Sequence, residues 1–90
     1  MILGKTCGTV VCTRKDERLN GMKFLIVEEL AVNTQKPTGN HHIAVDAVGA
    51  GASETILMVS GSSARLTGRT INCPVDAAIC GIVDEITMDK

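Results

Sequence analysis

Between Asp46 and Arg65 the chain reads Asp-Ala-Val-Gly-Ala-Gly-Ala-Ser-Glu, then Thr-Ile-Leu-Met-Val, then Ser-Gly-Ser-Ser-Ala-Arg. Two loops of small residues thus flank one short aliphatic run. A run of this length bounded by turn residues is a strand, Thr55 to Ser60. The glycines and alanines of Val48 to Ala52 let backbones come close together, and Glu54 and Arg65 are the charges nearest to them. That makeup suits a packed junction better than an active site.

The chain has 90 residues, which makes one domain, residues 1–90, burying only about 60–65% of its extended surface. Its apolar content is nonetheless 44%, with Phe24 the single aromatic residue. So much aliphatic material on so small a body implies that other subunits cover some of it. A net charge of -1, from nine basic and ten acidic residues spread along the chain, provides no field to attract nucleic acid or an anionic membrane. The apolar runs are too short to cross a bilayer and the first residues lack the pattern of a signal peptide, so the expected location is the cytoplasm. There the four cysteines are expected to be reduced. Cys7 and Cys12, and Cys73 and Cys80, are odd numbers of residues apart and face opposite ways in a regular strand, so each is read as a small buried hydrophobe rather than a ligand.

Turn signals divide the rest. Met1 to Thr13 fits a long bent strand, with Gly4 and Gly8 relieving crowding at a barrel corner. A charged loop, Arg14 to Asn20, leads to Asn20-Gly21, a tight-turn dipeptide that implies a hairpin. Lys23 to Val32 is the second strand, and Asn33 to Asn40, with Pro37 and Gly39, is a turn cluster. His41 and His42 open a third strand through Val48 and are read as a solvated loop end. After Thr55 to Ser60, Gly61 to Leu66 forms one helical turn capped by Ser60 or Ser62. Thr67 to Cys73 is a surface loop, and Val75 to Thr87, broken by Gly81, is the last strand. The fold class is all-β: a small five-stranded OB-like β-barrel with one short helical turn, closed because closure removes sheet edges.

Catalytic motifs fail on inspection. Gly49-Ala-Gly51 with Glu54 resembles the start of a dinucleotide fingerprint, but a strand follows it and the third glycine is absent. Gly61-Ser-Ser-Ala-Arg65 has arginine where a nucleophile elbow needs its second glycine. The pairs Val45-Asp46, Val75-Asp76 and Val83-Asp84 are too far apart in the chain to support a cation site. Asp46 and Asp76 are read as acceptors of backbone N–H bonds at strand ends. No catalytic, cofactor-binding or metal-binding residue is assigned. OB barrels that bind single-stranded nucleic acid use basic grooves and aromatic platforms, which this sequence lacks.

The blocks Gly4…Gly8-Thr-Val-Val…Thr13-Arg-Lys, Val45-Asp-Ala-Val-Gly-Ala-Gly…Glu54, Ser60-Gly-Ser-Ser-Ala-Arg65 and Pro74-Val-Asp-Ala-Ala-Ile…Gly81-Ile-Val-Asp84 closely resemble, in order and spacing, the EutN/CcmL family of bacterial microcompartment vertex proteins. The resemblance covers Met1 to about Ile86. It implies an OB-like barrel that forms a homopentamer at the fivefold corners of a protein shell, among hexameric shell proteins, in the bacterial cytoplasm. No enzymatic activity, cofactor, nucleic acid or membrane is implied. Gly49, Gly51, Glu54, Gly61, Ser62, Ser63, Arg65, Pro74 and Asp76 match the family's motif residues and are expected at the subunit interface or axis. Ser53 departs from the pattern, standing where members commonly carry glycine, which points to a positive φ there. With the last strand reaching Thr87, no C-terminal extension is expected to contribute shell contacts. The alternative is an OB-like oligomeric binding module for a small ligand or single-stranded nucleic acid; an enzyme using Cys, His and Asp ranks third, for want of workable spacing.

Overall fold

In the computed structural model, which describes residues 1–89, five strands form a closed barrel. They are β1 (Ile2–Val10), β2 (Phe24–Leu30), β3 (Pro37–Asp46), β4 (Thr55–Ser60) and β5 (Ala77–Ile82), with 3-10 turns at Glu17–Leu19 and Gly61–Leu66. Around the barrel the order is β1-β2-β3-β5-β4, and every pairing is antiparallel except β3 with β5. That parallel contact closes the barrel through two residue pairs, Val45 with Ala78 and Asp46 with Ile79. The all-β barrel, the strand Thr55–Ser60 and the turn Gly61–Leu66 agree with the sequence reading.

The alternation of buried residues along the strands builds two clusters. Leu25, Val27, Ala44, Ile56, Met58 and Ile79 fill the barrel interior, joined by Ala50 from the loop after β3. Met22, Val45, Ala64, Cys73, Val75 and Ala78 form a second cluster under the Gly61–Leu66 turn, which therefore caps one barrel opening. Ala64 is the buried residue of that turn. Ser60 makes no side-chain cap bond there, so the expected serine cap is absent; its position is held by the backbone bond from Gly61 N to Asp76 O, 2.7 Å.

Three expectations need correction. The first concerns Pro37 to Asn40, which belongs to β3 rather than to a loop. A register shift between Glu28 and Leu30 puts a bulge at Glu29, and the Glu29 carboxylate accepts from Thr38 Oγ1 (3.0 Å) and Asn40 Nδ2 (3.3 Å) and contacts His42 Nε2 (3.0 Å). Residues 38, 40 and 42 share one face at the two-residue strand period, so this cradle holds a proline- and glycine-containing segment extended. Those bonds, His42 foremost, hold Glu29 below the usual carboxylate range. His41 and His42 consequently lie within a strand, His41 Nε2 3.7 Å from Glu28, rather than at a loop end.

The second correction is that β5 stops at Ile82, leaving Val83 to Asp89 as an extended tail without strand pairing. The third concerns the cysteines. Cys73 is buried and Cys80 partly so, but Cys7 and Cys12 are exposed, because a bulge between Thr6 and Gly8 leaves Cys7 without a partner on β2 and Cys12 lies beyond the strand.

Closure also needs space where β1 crosses β2. A Cβ on Gly4 would collide with Val27 Cγ1 and lie 3.0 Å from the Glu28 carbonyl oxygen, whereas one on Gly8 would lie 3.1 Å from the end of the Ile26 side chain. Backbone cannot yield as a side-chain tip can. Gly4→Ala is therefore expected to destabilise the protein by about 1–3 kcal/mol, and Gly8→Ala by less. Urea unfolding at fixed protein concentration checks this, and an equal effect at both positions would contradict the assignment.

Candidate subunit interface

The family-motif residues fall into two groups separated by β4. Glu54 immediately precedes that strand and Gly61 immediately follows it; a six-residue strand spans about 20 Å. Gly49, Gly51 and Glu54 thus belong to one patch, and Gly61, Ser62, Ser63, Arg65, Pro74 and Asp76 to another. Among the described residues neither Glu54 nor Arg65 has an ion-pair partner, and the two do not pair within the subunit.

Loop Ala47–Glu54 is held from both ends. Asp46 Oδ1 accepts from the backbone N–H groups of Val48, Gly49 and Ala50 at 3.0–3.1 Å, as expected for an aspartate at a strand end. Its carboxylate is nearly buried and lies 3.7 Å from Lys23 Nζ, which also donates to the Ala50 carbonyl at 2.9 Å. Asp76 plays no matching side-chain role among the described residues; its contribution is the carbonyl that accepts from Gly61 N.

At the other end the Glu54 carboxylate accepts from Gly51 N at 2.7 Å. A Cβ on Gly51 would sit 2.6 Å from that same oxygen, so Gly51 is required for the bond. Thr6, from β1, is the residue the sequence reading missed. It is buried, its Oγ1 donates to the Gly51 carbonyl (2.7 Å) and accepts from Glu54 N (2.9 Å). Its backbone bonds to Glu54 O (2.9 Å) and Ser53 N (3.1 Å). A lone threonine in an alternating strand carries no signal of partners 45 and 48 positions away. Between these bonds Ser53 sits at φ 56°, in the left-handed region that glycine adopts without strain.

The second patch is a concave surface of about 830 Å³ lined by Ser62, Arg65, Leu66, Ile71, Pro74 and Arg18, among others. Arg18 is committed within the chain: Nε and Nη2 donate to the two carboxylate oxygens of Asp16 at 3.0 Å, and Nη1 donates to the Asn72 carbonyl at 3.2 Å. Those bonds pull Asp16 down to about 2 and raise Arg18. Arg65 has no such tie and is exposed, beside Leu66 (79% exposed) and Ile71 (58%). Thr70 anchors the floor; it is fully buried and its Oγ1 donates to the Ala64 carbonyl at 2.6 Å. No group of three or more His, Cys, Asp or Glu side chains placed to hold a metal occurs among the described residues. No helix among them is long and apolar enough to cross a membrane.

The braced loop and the cationic, partly apolar concavity lie at opposite ends of β4, and comparison with known proteins gives the family to which this arrangement belongs. The family model described as "Ethanolamine utilisation protein EutN/carboxysome" matches residues 1–84. The chain belongs to the EutN/CcmL family. The bacterial microcompartment shell vertex protein GrpN of Rhodospirillum rubrum is 46% identical over 88 residues, 96% of each chain. The solved structure of the R. rubrum GrpN pentameric microcompartment shell protein has a TM-score of 0.90 at 43% identity, covering 99% of this chain and 100% of that one. The shell vertex protein EutN of Salmonella typhimurium is 42% identical over 86 residues, covering 96% of this chain and 86% of its own. CcmL of Gloeobacter violaceus, solved as a structure, has a TM-score of 0.93 at 36% identity over 99% and 91% of the two chains. These relatives have a structural role, and the reading of this chain as a structural protein rather than an enzyme rests on them.

Two substitutions test the loop. Thr6→Val keeps the shape but leaves Glu54 N and the Gly51 carbonyl without their partner, and is expected to destabilise by about 1–3 kcal/mol, with Thr6→Ser much milder. Ser53→Gly removes the left-handed strain and is expected to raise stability by up to about 1 kcal/mol, the strain relieved being partly offset by the freer unfolded chain. Urea midpoints with unchanged m-values read both; a loss of stability in Ser53→Gly would mean that the serine side chain contributes more than its backbone strain takes away.

Proposed function

We propose that this chain is a shell vertex protein of a bacterial microcompartment, forming a homopentamer that occupies the fivefold corners and meets hexameric shell proteins along its edges, in the bacterial cytoplasm. The observation that carries this reading is family membership across residues 1–84 of a 90-residue chain. The surface supports it: Val11, Leu66 and Ile71 are exposed large apolar side chains on a body with a thin core.

The mechanism is geometric. Hexagonal tiles alone extend as flat sheets, and a closed polyhedron requires pentagonal units at its corners. A cyclic ring has heterologous contacts, in which one surface of a subunit fits a different surface of the next, and the rotation must close after five. The two patches at opposite ends of β4 suit that requirement, since Gly49, Gly51 and Glu54 lie on one and Gly61, Ser62, Ser63, Arg65, Pro74 and Asp76 on the other. We place all nine at or beside the subunit junction. Glu54 and Gly51 act there by fixing the loop's shape, whereas Arg65, exposed in the lining of the concavity, acts by direct contact.

Native mass spectrometry of the purified protein is expected to give a pentamer. Co-expression with hexameric shell proteins is expected to give closed particles only when this chain is present. A monomer that binds single-stranded oligonucleotide would overturn the reading in favour of a binding module.

A further inference from the structure

The chain is electrostatically two-ended. Arg18 and Arg65 line the concavity beneath the Gly61–Leu66 turn, and of these Arg18 is neutralised by Asp16. The charge left for an outside partner is Arg65, exposed beside the apolar Leu66 and Ile71. At the opposite end of β4 the tail Val83–Asp89 leaves the barrel. Val83 N donates to the Thr55 carbonyl at 2.9 Å, and Val83 and Ile86 line a small apolar groove with Met1, Leu3 and Leu57. Its inward residues are thereby anchored to the subunit's own barrel. Asp84, Glu85, Met88 and Asp89 face solvent, so the described part of the tail presents three carboxylates and a methionine.

We infer that the Arg65 concavity is the seat for the acidic tail of the neighbouring copy of this chain. The seat offers an uncommitted guanidinium flanked by two exposed aliphatic side chains, and the tail offers carboxylates on either side of the exposed Met88. Charge and apolar surface are therefore matched in kind. The two surfaces lie at opposite ends of a strand about 20 Å long, so one subunit cannot join them to itself. A heterologous ring juxtaposes two such surfaces at every junction. The inference rests on the homopentamer reading and names the contact that holds it.

The test is a charge exchange. Arg65→Glu alone, and Asp84→Lys with Glu85→Lys, are each expected to shift the protein at low-micromolar concentration from pentamer to smaller species by sedimentation velocity. The protein carrying all three substitutions is expected to recover the pentamer, because the reversed charges meet across each junction. All are surface positions, and far-UV circular dichroism of each variant establishes that the barrel is intact; the neutral Arg65→Gln, with a milder shift, serves if Arg65→Glu misfolds. Raising the salt is expected to weaken the unmodified ring in the same direction. A tail-reversed protein that stays fully pentameric, or a triple variant no better assembled than Arg65→Glu, overturns the inference. So does a pentamer that survives every reversal but no longer closes particles with hexameric shell proteins, since the concavity would then face the shell. If the unmodified protein itself is not a pentamer, the ring reading fails first, and visibly so.

Discussion

The barrel depends on a contact of two residue pairs. Val45 opposite Ala78 and Asp46 opposite Ile79 are the only parallel strand pairing among the described residues, and without it the five strands form an open sheet with two free edges. Small residues make so short a seam possible. Ala44 and Ala78 are completely buried at it, and the Ala47 N–H extends it with one more bond to the Ile79 carbonyl at 3.3 Å. Asp46 belongs to both structures that meet there: its backbone pairs with β5 while its carboxylate caps the following loop. The seam and the loop beyond it are thus fixed by one residue, and displacement of either disturbs the other.

From that seam outward the molecule divides its labour. The Ala47–Glu54 loop is braced within the chain, through Asp46, Lys23, Glu54 and Thr6. The Gly61–Leu66 turn seals the barrel with Ala64 and Thr70 and leaves Leu66, Ile71 and Arg65 uncovered. The first is a shaped surface and the second an unsatisfied one. That contrast separates family-motif residues that act on backbone geometry from those available for contact, a distinction that sequence similarity does not make.

Much of this was legible because it is local. The aliphatic run Thr55–Ser60 between small-residue loops, the turn Gly61–Leu66, the Asn20-Gly21 turn with Gly21 at φ 78°, and the Asp46 cap each depend on residues a few positions apart. Ser53 was readable only through the family pattern, which pointed to the positive φ that the structure has. What escaped was long-range. Pro37 and Gly39 carry turn chemistry, but pairing of β3 with β2 and the Glu29 cradle override it. Thr6 and Thr70 look like ordinary polar residues until the chain brings Gly51, Glu54 and Ala64 to their hydroxyls. The exposure of Cys7 follows from a bulge that no spacing rule anticipates.

The internal bracing of the Ala47–Glu54 loop has a consequence for how subunits meet. Association ordinarily loses free energy when mobile loops and side chains freeze at the new contact. Here three backbone N–H groups are already bound to Asp46 and two backbone carbonyls to Lys23 and Thr6 before any neighbour arrives. The loop therefore behaves as a preformed rigid body, and in the ring proposed above the entropy of ordering it is spent during folding of the single chain rather than at each junction.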